Sequence, residues 1–387
     1  MQAGRSILYL VTEQWYFCLH RLPIARAARD AGYTVYIAAR VKEHGQVLQD
    51  EGFHVITLHW RRESRNPLRA VLEISRIIGI YRRYRPDIVH HVALKPSLYG
   101  SIAAGVALRA PVVNNLAGLG RGFSGGGLVG GALSGVLKTA IRRLFRRKRS
   151  VTIVENADDR DFLVSQVGLP GKAVILIRGI GVDEVHFAFT EEQAVAAGQP
   201  VTITLVSRLL WPKGVGELVE AGRRLRAQGL PVTIWIVGMP DETSGQAVPA
   251  ATLEQWAAEG AVEWLGHRDD IPEIWRQSHI AVLPSYYREG IPRSLLEAAA
   301  CGRVVVTTDM PGCREVVEDG VSGYLVPPRN VEALTATLEK LVRDPALRQR
   351  MGRKGRELIE RDLTEAYVVE QTMDVYSRLM TQTNMPA

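Results

Sequence analysis

HIAVLPSYYREGIPRSLLEAAACGRVVVTTD (279–309) sets a β-branched apolar run, a Gly/Pro turn, a helical segment and a second apolar run end to end. Both runs are almost continuously apolar rather than alternating, the pattern of parallel strands covered on both faces. Working outward, the same kind of run recurs as VTITLVS (201–207), VTIWIVG (232–238), VEWLG (262–266) and GYLVPP (323–328). Upstream it recurs as SILYLVT (6–12), TVYIAA (34–39), HVITLH (54–59), DIVHHV (87–92), PVVNNL (111–116), VTIVEN (151–156) and VILIRG (174–179). Helical segments separate the runs. One opens at Asn66-Pro67 and places Leu68, Val71, Leu72 and Ile78 close to one face, and another closes at Gly32. The class is α/β, doubly wound.

The chain has 387 residues, 46% of them apolar and 23% charged, more than one such core usually occupies. The polar stretch TEEQAVAAGQP (190–200) divides the two series of runs, so the expected domains are 1–190 and 200–365. A closing helical segment, 366–387, is expected to pack back on the first domain. Two doubly wound domains facing one another would turn both sets of strand C-terminal ends toward a central cleft. Net charge is +7, unevenly shared. Residues 1–190 hold 27 Lys and Arg against 14 Asp and Glu, and residues 191–387 hold 21 against 27. The basic first half should face something anionic. Cys18, Cys301 and Cys313 form no CxxC pair, which argues against a disulfide framework or a zinc site. The opening MQAGRSILYLVTEQW lacks a signal-peptide core, and no apolar run reaches the roughly 18 residues of a membrane span.

Strand 279–285 runs through Glu289, Gly290, Ile291 and Pro292 into a helix beginning near Arg293 or Ser294. A helix N-terminus after a Gly/Pro turn is an anion site, suited to a diphosphate. Glu289 would reach sugar hydroxyls and Glu297 a ribose, although Ser294-Leu-Leu-Glu297 also spells a capping box and Glu289 also reads as a solvated loop residue. Strand 201–207 ends in Arg208, and a Trp-Pro turn presents Lys213-Gly214. Two cations there would neutralise a leaving diphosphate, or serve as ordinary surface charges.

Taken with SRLLWPKG, EGIPRSLLEAAACG, PGCREVV, DGVSGYLVPP and GVDEVHF, these segments resemble the retaining glycosyltransferases of family 4, which have the GT-B fold of two Rossmann-like domains. The resemblance implies that Arg208 and Lys213 bind the donor diphosphate, that Glu289 contacts the transferred sugar and that Glu297 contacts the ribose. It implies backbone contacts from Gly290, Ile291 and Pro292, with Ser294 and Gly238 also on the donor side. His267 and Arg268, in LGHRDDIP, would lie near the nucleobase, or His267 is a plain surface residue. HRLPIARAARDAGYTV, HHVALKPSLYGSIAA and NNLAGLG resemble the branch that extends saccharides on undecaprenyl diphosphate. Candidates for the acceptor side are Glu13, His20, His90, His91, Lys95, Asn115 and Gly118. Where many members have a Gly-Gly turn and a histidine, this chain has Thr12-Glu13-Gln14-Trp15 and Asn114-Asn115.

LSGVLKTAIRRLFRRKR (133–149) spaces Leu133, Val136, Leu137, Ala140, Ile141, Leu144 and Phe145 as a helix and adds Lys138, Arg142, Arg143, Arg146, Arg147, Lys148 and Arg149. A basic amphipathic helix of this kind would lie on an anionic leaflet; a nucleic-acid patch and a solvated helix are the alternatives. Asp159-Arg160-Asp161 spells DxD but opens a helix, where acids complement the dipole, so no metal is expected. The resulting expectation is a cytoplasmic enzyme at the inner face of the cell membrane. It would move a hexose or N-acetylhexosamine from a UDP-sugar, without a cofactor, to a polyprenyl-diphosphate-linked saccharide. Transfer to a soluble acceptor, sugar-nucleotide 2-epimerisation and a catalytically silent scaffold are the competing readings.

Overall fold

The computed structural model describes residues 4–41, 45–60, 66–119, 128–196 and 198–381, leaving aside the side chains of residues 128–134. Two compact units emerge, one from Met1–Ile180 with Ala366–Ala387 and the other from Gly181–Glu365. Each contains a parallel sheet. In the first, β1 (Ser6–Glu13), β2 (Thr34–Arg40), β3 (His54–Thr57), β4 (Ile88–Val92), β5 (Val112–Leu116), β6 (Ser150–Val154) and β7 (Val174–Leu176) lie in the order β3-β2-β1-β4-β5-β6-β7. In the second, β8 (Val201–Val206), β9 (Val232–Val237), β10 (Glu263–Gly266), β11 (Ile280–Leu283), β12 (Val304–Thr308) and β13 (Gly323–Val326) lie in the order β10-β9-β8-β11-β12-β13. Both are doubly wound, with the order reversing between β1 and β4 and between β8 and β11. Crevices at such reversals, outside the strand C-terminal ends, are where open α/β sheets take ligands. Strands β4, β5, β11 and β12 are buried along their whole length, which accounts for their unbroken apolar character.

The division falls at residue 180, ten positions before the polar stretch that reads as a boundary. Residues 181–190 belong to the second unit: Phe187 enters its core, and the Arg356 Nη1 donates to the carbonyls of Glu184 at 3.2 Å and Phe187 at 3.1 Å. Arg303 donates to the Thr190 carbonyl. Even Glu192, within the supposed linker, is buried against Arg348 at 2.6 Å. Helix Glu365–Thr381 returns to the first unit, where Val368, Val375, Tyr376, Leu379 and Met380 join its core. The Tyr376 hydroxyl lies 3.2 Å from that of Tyr9 and 2.5 Å from the Nδ1 of His90.

Two helices of the first unit depart from the face that periodicity selects. Helix Pro67–Tyr84 is capped by Asn66, whose side chain accepts from the Leu68 N–H at 2.9 Å, and it buries Ile77 and Tyr81. Leu68, Val71 and Leu72 are exposed instead. Conversely, the apolar side of helix Leu128–Phe145 is inside: Ile141 and Phe145 are core residues, with Leu137 and Leu144 packed against the same cluster. Of its remaining apolar members Val136 is exposed, while the Leu133 side chain lies outside the described residues. Ile141, Phe145, Leu137 and Leu144 are thus taken up by the unit's own core rather than offered to a leaflet. Arg146, Arg147, Lys148 and Arg149 immediately precede β6 and therefore sit at the N-terminal edge of the sheet, opposite the ligand edge. Arg147 is half-buried and donates to the Leu108 carbonyl.

His90 and His91 are buried in β4, and desolvation holds both rings well below the usual histidine range, His91 at about 4. The unfolded chain binds these protons near pH 6.5 and the folded chain does not, so stability is full above 6.5 and declines on acidification. Between pH 6.5 and 4 thermal unfolding of the first unit should move to lower temperature as its stability falls by up to about 1.4 kcal/mol per pH unit for each histidine. Replacing His91 by Asn should flatten that slope, as read by circular dichroism across pH.

Candidate active site

The second unit assembles its candidate site from loops that leave the C-terminal ends of β8, β11 and β12. After β8 the turn Trp211–Lys213 ends in Gly214, at φ 79°, where a β-carbon would come within 2.2 Å of the Pro284 carbonyl oxygen. The Tyr286 N–H and the Ser285 hydroxyl both donate to the Pro212 carbonyl, at 2.9 and 3.2 Å. After β12 the φ of Gly312 is 85°, and a β-carbon there would meet the Gly290 carbonyl oxygen at 1.6 Å. The Glu289 N–H donates to the Pro311 carbonyl at 3.3 Å. Only glycine satisfies both the backbone angle and the space at these two points. The result is an ion pair between the Lys213 ammonium and the Glu289 carboxylate, with 11% and 9% of the side chains exposed. The Tyr287 ring lies 5.9 Å from the same ammonium.

Next to this pair begins helix Arg293–Ala300, with Pro292 at its N-cap and no side chain capping it. Ser294 is thus inside the helix, which rules out the capping box. Glu297 faces inward and accepts from the Arg293 Nε at 2.7 Å, while burial holds its carboxyl above the usual range. The N-terminal N–H groups and the dipole of this helix make a positive terminus beside Lys213. Ile291 is buried in the second core, leaving the backbone of Gly290, Ile291 and Pro292 as the lining of the turn.

Arg208 is not joined to that pair by any described bond. It projects from the end of β8 and donates to Asp241 at 2.7 Å. Asp241 stands after β9, accepts also from the Thr243 hydroxyl at 2.6 Å, and these bonds, Thr243 first, hold its carboxyl below the usual range. Sequence reasoning missed Asp241, although its place just beyond a strand terminus mirrors that of Arg208. It missed Arg329 too, which follows β13 and stacks 4.2 Å over the Tyr286 ring. Gly238, at φ 129°, brings the end of β9 against the Ser207 carbonyl, and its own N–H donates to the Gly266 carbonyl at 2.7 Å. His267 and Arg268 are exposed and turn to their neighbours, His267 to Asp269 at 3.2 Å and Arg268 to Asp270 at 2.7 Å.

In the first unit most acceptor-side candidates serve the fold. His91 uses both ring nitrogens, toward the Tyr81 hydroxyl and the Asn114 side chain, each at 2.8 Å, and leaves none for a ligand. His90 is buried against Tyr376. Glu13 is buried and held at both oxygens by Arg40. Asn115 accepts from Arg21 at 2.6 Å, and Arg21 forms a buried ion pair with Glu155 at 2.7 Å. Lys95 pairs with Glu73 at 2.9 Å and lies over the rings of Trp60 and Tyr99. His20 is half-buried with its ring 4.3 Å from that of Tyr16, and Gly118 turns the chain at φ 76° after β5. Asp159 is buried and accepts from the Leu119 N–H at 3.1 Å, a structural use of the DxD triplet. Among the described residues no three His, Cys, Asp or Glu side chains gather as metal ligands, and no helix is long and apolar enough to cross a membrane.

Residues 187–358 match the family model for glycosyl transferases group 1, and residues 6–155 match that for glycosyl transferase 4-like domains. A Campylobacter jejuni N,N'-diacetylbacillosaminyl-diphospho-undecaprenol alpha-1,3-N-acetylgalactosaminyltransferase is 26% identical over 370 residues, 93% of this chain and 95% of that protein. A Mycobacterium tuberculosis glycogen synthase is 30% identical over 315 residues, 80% of this chain and 72% of that protein. Among solved structures, a glycosyltransferase from Rickettsia africae superposes with a TM-score of 0.80 at 17% identity, covering 97% of this chain and 99% of that one. Anabaena HepE in complex with UDP-glucose does so at 0.74 and 19%, covering 96% and 99%. With the two family models on its two units, and two doubly wound parallel sheets of this order, the chain belongs to the GT-B glycosyltransferases with group 1 and family 4-like domains.

Proposed function

We propose that this glycosyltransferase moves a hexose or N-acetylhexosamine from a UDP-sugar to a saccharide carried on a polyprenyl diphosphate, with the anomeric configuration of the donor retained and without a metal. The observation that carries the reading is the Lys213–Glu289 pair at the uncapped start of helix Arg293–Ala300. Negative charge develops on the departing diphosphate and positive charge on the sugar, so the protein's task is electrostatic and positional. Lys213, Arg208 and the helix terminus receive the diphosphate. Lys213 then exchanges Glu289 for phosphate oxygens, and the released carboxylate takes the hydroxyls of the transferred sugar. Glu297, Gly238, His267 and Arg268 complete the nucleoside side. The acceptor proton passes to a phosphate oxygen of the leaving group.

Support for the acceptor comes from the Campylobacter relative, whose name gives an undecaprenyl-diphosphate glycan and whose length is matched almost throughout. Support for the donor comes from the HepE complex with UDP-glucose. Residues 1–190, with 27 Lys and Arg against 14 Asp and Glu, would draw the enzyme toward an anionic leaflet by charge. A second reading, transfer to a soluble glucan, is favoured by the glycogen synthase match. Incubation with radiolabelled UDP-sugars and both acceptor classes separates them: label should enter a lipid-extractable product, and nuclear magnetic resonance of that product should show the donor configuration. Label only in soluble glucan would overturn the lipid-linked reading.

Lys213→Ala and Glu289→Ala should each lower kcat at least about a hundredfold, the scale of losing one transition-state donor. The double variant, which leaves neither charge unpaired, should stay as inactive while recovering any stability lost by the single ones. Near-native turnover in a folded single variant would remove that residue from the site. Gly312→Ala should act at a distance, displacing the 289–292 turn and raising KM for the UDP-sugar at unchanged acceptor KM.

A further inference from the structure

Leu68, Val71 and Leu72 have 74%, 61% and 59% of their surface exposed at the start of helix Pro67–Tyr84. Spaced i, i+3 and i+4, they adjoin on one side of the helix. Single exposed apolar residues are ordinary; a cluster on one element marks a surface that meets something. The remaining charges on this helix narrow the partner. Arg69, Arg76, Arg82 and Arg83 are exposed, and the helix's one acid, Glu73, is largely buried in its pair with Lys95. The surface thus offers apolar groups and cations with no exposed carboxylate on the same helix, the complement of an anionic bilayer. A second copy would bring the same cations against themselves.

Position adds to this. The helix leaves β3 and leads into β4, so its first turns lie at the C-terminal edge of the sheet, the edge at which doubly wound sheets bind ligands. The arginine and lysine tract before β6 lies at the opposite edge.

We infer that Leu68, Val71 and Leu72 dip into the headgroup layer of an anionic membrane, with Arg69 and Arg76 on its phosphates, so that the ligand edge of the first unit rests on the leaflet. This rests on the lipid-linked acceptor only in placing the enzyme's work at a bilayer. The test is co-sedimentation of the full chain with phosphatidylcholine vesicles, with and without phosphatidylglycerol and without any acceptor. Wild type should bind the anionic vesicles, and the Leu68→Ser/Val71→Ser/Leu72→Ser variant should bind them at least about tenfold more weakly, with its unfolding temperature unchanged because the sites are exposed. A fluorophore on a cysteine at position 72 should shift to the blue on binding. Equal binding by the triple variant, or an unshifted probe, overturns the inference, as does a wild-type dimer that the triple variant dissolves while vesicles go unbound. Turnover on a detergent-solubilised lipid acceptor is measured alongside. Its absence would defeat the acceptor reading and leave the vesicle result standing.

Discussion

Lys213 and Glu289 stand 76 positions apart in the chain, and backbone brings them together before charge does. Gly214 lets the turn after β8 rest on Pro284, and Gly312 lets the loop after β12 rest on Gly290. Each approach is closer than any side chain permits, so three loops from three neighbouring strand ends share one packed layer. The ion pair is then held in place by geometry fixed elsewhere. That matters because a pair so little exposed is no assured source of stability. In the proposed reaction one partner is exchanged for a ligand, and there its attraction has a use.

The first unit follows a different economy. Its polar residues near the strand ends are bound to one another: Arg21 to Asn115 and Glu155, Glu13 to Arg40, His91 to Tyr81 and Asn114. Burying so many polar groups is tolerable only when each finds a partner, and here the partners come from separate elements. The C-terminal helix takes part through Tyr376, which reaches both Tyr9 and His90. The polar interior therefore fixes how the helices, the sheet and the returning chain end fit together.

Among the described residues the thirteen strands were legible because a parallel sheet covered on both faces leaves unbroken apolar runs. Lys213, Glu289 and Glu297 were legible because strand ends and a Gly/Pro turn before a helix are local signals. What was not legible depends on tertiary packing. Periodicity finds an apolar stripe but not what covers it, hence the exposure of Leu68 and the burial of Ile141. A histidine in a strand reads alike whether it meets a ligand or a tyrosine 286 positions away, which is why His90 was unreadable. Glu191 and Glu192 look like linker residues until the arginines that hold them are found in a helix more than 150 positions on.

Arg348, Arg353 and Arg356 fasten residues 184–192 to the second unit, and Val182 pairs with Thr364 where the chain enters and leaves that unit. Entry and exit are thus neighbours within one body, and the start of the stretch that reads as a linker, as far as Glu192, is stitched down. For anyone recombining relatives to exchange the second unit, the seams to cut are 180/181 and 365/366. A graft that begins at residue 200 would leave Arg303, Arg348, Arg353 and Arg356 facing a segment inherited from the wrong parent.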